Sequence, residues 1–193
     1  MDERRNVLAE AVWRVVLREG LANASVRTVA VEAGLSAGSL RHVFASQSEL
    51  HAYAMRLVTA RIRTRVEALP PTDDPRRWAG AVLEQLLPLD AGRRAESQVW
   101  LAFSAAALVD PGLRALRDEG WDLLAEVCRT LLARCADAGR LAPGLEAGPE
   151  AARLHALVDG LLLHGVLHAG RSTPDHVRKV LAHHLDVMTV PPP

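Results

Sequence analysis

The sequence has little of several residue types. It contains two cysteines, one tyrosine, two phenylalanines and a single lysine among 193 residues. The cysteines, Cys128 and Cys135, fall on one predicted helix, and a helical rise of ~1.5 Å per residue separates them by about 10 Å. That distance is too long for a disulfide. We therefore expect two buried, reduced thiols and exclude the class of small secreted proteins that depend on disulfides.

Long apolar runs and a surplus of one charge are also missing. No run approaches the ~20 residues that a membrane span requires, and the N-terminal MDERRNVLAEAV lacks the apolar core of a signal peptide. Basic residues (Lys and Arg) and acidic residues number 23 each, so the net charge is zero and composition alone indicates no nucleic acid partner. We expect a cytoplasmic protein.

Patterns that indicate catalysis or a tightly bound group are absent as well. The sequence shows no Ser–His–Asp or Cys–His arrangement, no glycine-rich phosphate loop and no paired carboxylates at metal-ligand spacing. His164 and His168 have the spacing of a zinc ligand pair, but no third ligand is placed to complete a site. We therefore predict that the chain is not an enzyme and has no metal site and no cofactor.

What the sequence does contain is a helix-turn-helix pattern within residues 25–50. An apolar stripe at helical spacing consists of Val26, Val29, Ala30 and Ala33. Ser25 stands where an N-cap belongs, and Gly34 can end the helix because glycine adopts a positive φ at little steric cost. Ser36 then caps a second short helix. Two short helices joined by a glycine turn predict a DNA-binding motif whose second helix enters the major groove.

The second helix of the motif separates into two faces. Its inward residues are expected to be Leu40, Val43 and Phe44. Its outward residues are expected to be Ala37, Gly38, Arg41 and His42, a face with little bulk before the arginine. The residues from Ser46 to Glu49 read S-x-x-E, a capping box that opens the next helix.

Residues 11–50, AVWRVVLREGLANASVRTVAVEAGLSAGSLRHVFASQSEL, resemble the N-terminal DNA-binding domain of the TetR family of bacterial repressors. The matching positions are Gly20, Val29-Ala30, Ala33 to Ser36, Gly38 to Leu40, Phe44, Ser46 and Leu50. The resemblance implies a homodimer that binds double-stranded operator DNA in a bacterial cytoplasm, associated with the nucleoid when bound. It also implies nine helices and a pocket for a small-molecule effector.

The motif provides nine candidate DNA-binding residues: Arg27, Thr28, Ser36, Ala37, Gly38, Ser39, Arg41, His42 and Gln47. The two arginines and His42 are expected to reach phosphate or a base edge, since arginine binds guanine through two parallel hydrogen bonds. The hydroxyls are expected to bond phosphate or base edges, and Gln47 is expected to meet phosphate through its amide and its backbone N–H. Ala37 and Gly38 would allow the DNA to approach closely.

Downstream of the motif, a cap-type residue precedes a proline at Asp74-Pro75, Asp110-Pro111, Gly148-Pro149 and Thr173-Pro174. Proline is favoured at the first helical position, so each pair predicts a helix start. The expected helices span about 75–87, 92–108, 111–138, 149–169 and 174–189. With no convincing period-2 strand, we predict an all-α fold of two domains.

The two predicted domains have different tasks. Residues 1–46 are expected to form the helix-turn-helix domain and residues 47–193 the ligand-binding and dimerisation domain, connected by a helix of about 47–69. The inner residues of this connecting helix are expected to be Leu50, Tyr53, Leu57 and Ala60 or Arg61. The helix of about 149–169 has apolar residues around most of its circumference: Leu154, Leu157, Val158, Leu161, Leu162, Leu163, Val166 and Leu167. Next to a terminal helix with one apolar stripe, it predicts a dimer through the last two helices, with Gly160 and Gly165 allowing close approach. The alternative is the central helix of a monomer.

A second resemblance concerns the C-terminal part. WLAFSAAALVDPGLRALRDEGW together with DGLLLHGVLHAG looks similar to the BetI-type C-terminal domain of the TetR family. An effector pocket is what the family resemblance implies, and its candidate residues are Trp100, Phe103, Ser104, Trp121, His155 and Asp159. Aromatic residues at helical spacing are also typical of plain core, which is the alternative.

These observations predict a DNA-binding transcriptional regulator: a ligand-responsive repressor that binds a near-palindromic operator as a homodimer. The alternative is a helical ligand-binding or scaffolding protein that has lost DNA binding. Arg41 stands where the family usually has tyrosine, and Gln47 where it often has lysine. These two departures keep the alternative open.

Overall fold

The computed structural model describes the backbone of residues 2–190 and the side chains of residues 7–190. Over this range the chain forms nine α-helices and one short 3-10 helix, Leu21–Asn23. The α-helices are α1 (Asp2–Glu19), α2 (Val26–Glu32), α3 (Ala37–Arg41), α4 (Gln47–Glu67), α5 (Pro75–Glu84), α6 (Ala91–Val109), α7 (Pro111–Asp137), α8 (Ala147–Leu167) and α9 (Pro174–Met188). One isolated antiparallel bridge joins Leu141 and Thr189. The predicted all-α fold is confirmed.

Backbone contacts divide the chain into two compact units. The first comprises the residues up to Arg61 together with Gln98–Asp118, and the second comprises Ile62–Ser97 and the residues from Glu119 onward. The helices α4, α6 and α7 therefore contribute residues to both units. The predicted domain boundary after residue 46 stays a prediction.

Most helix starts follow the local chemistry that the sequence indicates. The N-caps Ser25, Ser36, Asp74 and Thr173 each accept a hydrogen bond from the backbone N–H three residues on. The prediction at Gly148-Pro149 was wrong, because α8 begins at Ala147 with Glu146 as its cap. Pro149 then occupies the third position of the helix. The first-turn N–H groups have no intrahelical acceptor, so proline is tolerated there too.

The core of the first unit is built from α1, α2, α3 and the first half of α4. Leu40 and Leu50 are fully buried and Phe44 nearly so. Val43, predicted to face inward, is 47% exposed, because α3 ends at Arg41 and Val43 lies in the turn beyond it. The inner stripe predicted for α4 (Leu50, Tyr53, Leu57 and Ala60 or Arg61) also differs from the buried residues, which are Leu50, His51, Ala54, Met55 and Val58.

A continuous apolar core fills the second unit. It contains buried residues of α5, α7, α8 and α9, among them Leu83, Leu131, Leu154 and Leu181. The predicted inner stripe of α9 is confirmed, with Val177, Leu181, Leu185 and Met188 buried and Val180 partly buried against the core.

The burial of α8 is one-sided within the chain. Leu154, Val158 and Leu161 are buried, whereas Leu163 and Leu167 are 39% and 61% exposed. The two glycines of α8 also differ. A Cβ built on Gly165 would lie 2.5 Å from Cγ of Pro88 in the same unit, whereas one on Gly160 would meet no atom within 4 Å.

Candidate DNA-binding surface and ligand site

The helix α3 presents its outward residues to solvent. Ala37, Gly38, Arg41 and His42 are exposed, while Leu40 on the opposite side is fully buried. A Cβ on Gly38 would approach only Ser36 Oγ, at 3.8 Å, so packing within the protein does not require glycine there. The outward face of α3 is therefore a low surface of small side chains that ends in an arginine and a histidine.

The two serines of α3 serve the helix start. Ser36 Oγ accepts from the backbone N–H of Ser39 at 3.0 Å, and the two side-chain hydroxyls lie 2.9 Å apart. Ser36 is exposed and Ser39 half-buried. Whichever hydroxyl donates to the other, the pair keeps one hydroxyl proton and two acceptor lone pairs for further hydrogen bonds, because a hydroxyl oxygen has two lone pairs.

The start of α2 combines one free cation with one occupied hydroxyl. Arg27 is exposed and pairs with no carboxylate among the side chains described. Thr28 completes a capping box: its Oγ1 accepts from the backbone N–H of Ser25 at 2.9 Å, and Ser25 Oγ accepts from the Thr28 N–H at 3.1 Å. The Thr28 hydroxyl is therefore engaged within the helix start.

Two other arginines of the first unit are neutralised. Glu32 on α2 binds Arg14 at 2.7 Å and Arg18 at 2.8 Å, both on α1. Hydrogen bonds from these two guanidinium groups lower the pKa of the Glu32 carboxyl. The cationic side chains that remain for a polyanion on this motif are thus Arg27 and Arg41.

The side chain of Gln47, the first residue of α4, points back to the protein. Its Nε2 donates to the backbone carbonyl of Ala24 and lies 3.0 Å from Nε2 of His51. At the same helix start, Ser46 Oγ accepts from the Glu49 N–H at 3.1 Å, and the Glu49 carboxylate accepts from the Ala45 N–H at 2.8 Å. The predicted capping box is present in a modified form, because Glu49 reaches one residue beyond the cap.

Three of the predicted ligand residues lie together in the second unit. The ring centroids of Trp121 and His155 are 5.0 Å apart, and His155 Nε2 is 3.4 Å from Oδ2 of Asp159. His155 is buried, with no hydrogen-bond partner for its Nε2, whereas Trp121 is 56% exposed. Burial raises the pKa of the Asp159 carboxyl, an effect that His155 offsets in part. The group joins an accessible indole to a carboxylate that no arginine or lysine among the described side chains neutralises.

The other three predicted ligand residues lie on α6 in the first unit. Phe103 is fully buried and belongs to the core, while Trp100 and Ser104 are half-buried. Their role as ligand contacts stays a prediction.

No group of three His, Cys, Asp or Glu side chains among residues 7–190 could hold a metal ion. His164 and His168 are neighbours, with ring centroids 6.2 Å apart, but lack a third ligand. None of the helices in this range is long and apolar enough to cross a membrane.

Comparison with known proteins identifies the family. Residues 75–190 match the model described as the C-terminal domain of BetI-type transcriptional repressors. The HTH-type transcriptional regulator PksA of Bacillus subtilis (strain 168) is 36% identical over 190 residues, which is 98% of this chain and 91% of that protein. The chain belongs to the TetR family of transcriptional regulators.

Solved structures agree with this membership in the TetR family. A transcriptional regulator from Rhodococcus sp. Rha1 is 31% identical with a TM-score of 0.82, and the match covers 97% of this chain and 98% of that one. The multidrug binding protein EbrR, solved with proflavin, is 30% identical with a TM-score of 0.63, over 94% and 99% of the two chains. The protein is a DNA-binding transcriptional regulator, and the alternative of a scaffold that has lost DNA binding is not favoured.

Sequence reasoning missed several polar side chains of the first unit. Ser48 Oγ donates to Oδ2 of Asp110, 62 residues away, and His51 is buried in α4. The sequence predicts Asp110 as a helix cap, and Ser48 lies inside the S-x-x-E motif. Neither pattern indicates that the two side chains meet.

Proposed function

We propose that this TetR-family regulator binds a near-palindromic operator as a homodimer, with the outward face of α3 in the major groove. The observation that carries the proposal is the exposure of Ala37, Gly38, Arg41 and His42 on a helix whose other side is buried. Small residues let the helix approach base edges, and the cationic residue at its end adds attraction for phosphate. A two-fold dimer reads two half-sites about one or more helical turns apart.

Each DNA-binding residue has a proposed role that follows from its position. Arg27 and Arg41 contact phosphate or guanine, and His42 contacts the backbone or a guanine. Ser36 and Ser39 contribute their remaining lone pairs and hydroxyl proton. Ala37 packs on a thymine methyl, and Gly38 gives clearance.

Two residues have a modified role in this proposal. Thr28 contributes its methyl edge and backbone, because its hydroxyl is engaged in the capping box. Gln47 contributes its backbone N–H at the N-terminus of α4, because its amide group donates within the protein.

The DNA-binding proposal is tested with Arg41→Ala. We expect operator binding to weaken by about 1–3 kcal/mol if Arg41 contacts a base, with a reduced salt dependence if it contacts phosphate. Arg129→Ala is the matched control, since Arg129 is an exposed arginine of α7 in the second unit. The operator is first identified by sequencing the genomic DNA fragments that the protein retains. Fluorescence anisotropy titration of this operator then measures the affinities of both variants. Equal affinities of the two variants would remove Arg41 from the interface.

We propose further that two copies associate through the exposed faces of α8 and α9. Leu163 and Leu167 are exposed on α8, and Val187 on α9 is 58% exposed. Gly160 on the same side of α8 meets open space. Glycine inside a helix costs about 1 kcal/mol relative to alanine, and nothing within the chain requires it. Close approach of a second α8 supplies a reason.

The dimer proposal is tested with Leu163→Glu combined with Leu167→Glu. We expect a shift from dimer to monomer in sedimentation velocity, because two charges would be buried in the interface. Leu108→Glu is the control, since Leu108 is an exposed leucine of α6 in the first unit. A dimer that survives the double substitution would place the interface elsewhere.

For the effector, we propose a compound with a flat or cationic group that contacts Trp121, His155 and Asp159. An exposed indole attracts cations and planar rings, and the Asp159 carboxylate supplies the counter-charge. The similar multidrug binding protein EbrR binds proflavin, a flat aromatic cation. Because α4 contributes residues to both units, we propose that effector binding shifts α4 and changes the spacing of the two recognition helices in the dimer.

Proflavin serves as the probe for this site. Calorimetric titration should show binding to the wild-type protein, weaker binding to Asp159→Asn and Trp121→Ala, and unchanged binding to Asp118→Asn as a control. If the sites are coupled, proflavin binds operator-bound protein more weakly than free protein, by the same factor with which it weakens operator binding. Equal binding of proflavin to wild type and Asp159→Asn would contradict the proposed site.

A further inference from the structure

The first turn of α4 carries polar side chains that contact two separate segments of the first unit. On one side is the backbone from Leu21 to Ala24, and on the other is the turn between α6 and α7 at Asp110. We call Gln47, Ser48, His51 and Asp110 the α4 junction. None of the four side chains belongs to the outward face of α3, and each is bonded to another group of the protein.

Gln47 and His51 bind the segment that leads into the helix-turn-helix. The Gln47 amide donates to the carbonyl of Ala24 and its Nε2 lies 3.0 Å from Nε2 of His51, while His51 hydrogen-bonds the backbone of Leu21. Ala24 is fully buried and directly precedes Ser25, the N-cap of α2. The first turn of α4 thus fixes the point at which the motif begins.

Ser48, in the same turn of α4, binds Asp110 in the turn between α6 and α7. Ser48 Oγ donates to Oδ2 of Asp110 at 2.5 Å. The second carboxylate oxygen, Oδ1, accepts from the Gly112 N–H at 2.8 Å, at the start of α7. The Ser48 hydroxyl, and after it the Gly112 N–H, lower the pKa of Asp110. One carboxylate therefore caps α7 and holds α4 at the same time.

We propose that Ser48 and Asp110 are positioning residues for operator binding: their hydrogen bond fastens the α6–α7 turn to the first turn of α4, which in turn orients the helix-turn-helix. Breaking the bond leaves every DNA-contacting side chain in place. It lets the motif sample more orientations, and operator binding must then restrict them. Losing pre-organisation of this kind weakens affinity without removing a contact.

The experiment removes the bond from either end. Ser48→Ala deletes the donor, and Asp110→Ser keeps a side-chain oxygen that can cap α7 but is too short to reach Ser48. We expect each variant to bind the operator about three- to tenfold more weakly, the range of a single net hydrogen bond. The double variant should lose no more than either single one, because both remove the same interaction.

Three controls separate positioning from contact and from general destabilisation. Asp118→Ser, at an exposed carboxylate of the first unit, should bind like the wild type. Ser48→Thr keeps the hydroxyl and should restore affinity. The slope of log K against log salt should be unchanged in Ser48→Ala, since the cationic side chains keep their phosphate contacts. A lower slope would show that cationic contacts are lost together with the bond, and would overturn the proposal that the DNA-contacting side chains stay in place.

Affinities are compared at a temperature where circular dichroism shows every variant fully folded. If Asp110→Ser does not fold, Ser48→Ala and Ser48→Thr alone decide the question. Wild-type affinity in Ser48→Ala would refute the proposal, as would a double variant whose loss equals the product of the two single losses.

Discussion

Different interactions stabilise the interior of each of the two units. In the first, α2 has seven residues and α3 has five, and capping serines and side-chain to backbone hydrogen bonds define where these helices begin. In the second, α8 has 21 residues and α9 has 15, and they share a continuous apolar core. A helix that must expose one face to DNA has little surface left to bury, so polar bonds of modest energy determine its position.

The largest expected loss of folding stability is in the apolar core of the second unit. Leu154→Ala should destabilise the protein by about 2–5 kcal/mol, because Leu154 is fully buried among α8's partners and the truncation leaves a cavity. Urea unfolding measures the loss. Leu123→Ala, at a 48% exposed position of α7 in the same unit and outside the proposed dimer interface, is the control and should cost far less. Similar losses in both variants would show that the second unit does not depend on this core.

The two glycines of α8 differ in the space around them. Gly165→Ala should cost about 1–3 kcal/mol, since the new Cβ would lie 2.5 Å from Cγ of Pro88 and overpacking strains a close-packed interior. Gly160→Ala meets no atom of its own chain and should stabilise the isolated chain by about 0.5–1 kcal/mol. Thermal unfolding of both is measured in the monomeric Leu163→Glu/Leu167→Glu background, where no second α8 contacts Gly160. The same sign for the two changes would contradict the difference in space around the two glycines.

Helix caps in the two units allow a matched pair of substitutions. Ser36→Ala and Thr173→Ala each remove a side-chain acceptor at a helix start and should cost about 1 kcal/mol of stability. Only Ser36→Ala should also weaken operator binding, because α3 has five residues and Ser36 is one of its proposed DNA contacts. If Thr173→Ala weakened operator binding equally, the effect would be a general consequence of instability.

The smallest effect that we expect is a dependence of folding stability on pH. Burial lowers the pKa of His51 in the first unit and of His184 in the second, where the nearby charges are Arg153, Glu150 and His183. In the unfolded chain a histidine takes up a proton near pH 6.5. In the folded protein, His51 and His184 take up a proton only at a lower pH.

The histidines should therefore add full stability above about pH 6.5 and lose it as the pH falls below that value. We expect His51→Gln and His184→Gln to lose less stability than the wild type between pH 7.5 and 5.5. Urea midpoints at the two pH values measure this. The carboxylates are the same in all three proteins. If the urea midpoint fell by the same amount between the two pH values in all three, neither histidine would contribute to the loss of stability.

Features that depend on neighbouring residues were predictable from the sequence. The caps at Ser25, Ser36, Asp74 and Thr173, the turn glycine Gly34 and the apolar stripe of α9 all follow from short-range patterns, and the structure confirms them. Trp121, His155 and Asp159 were named as ligand candidates because of the family resemblance, and their role as ligand contacts stays a prediction.

What failed depends on partners far away in the sequence. The inner stripe of α4 was misplaced because His51 and Gln47 turn toward the segment before α2. Val43 was misplaced because α3 ends after five residues. The packing of Gly165 on Pro88 and the bond between Ser48 and Asp110 join distant positions. No periodicity in a single sequence records such pairs.

The path of the chain has a practical consequence for protein engineering. It crosses from one unit to the other after Arg61, after Ser97 and after Asp118, and each crossing falls inside a helix. A gene fragment that ends at residue 61 would encode the recognition helix but omit Gln98–Asp118. Chimeras that exchange operator specificity between relatives should therefore carry both stretches from the same parent.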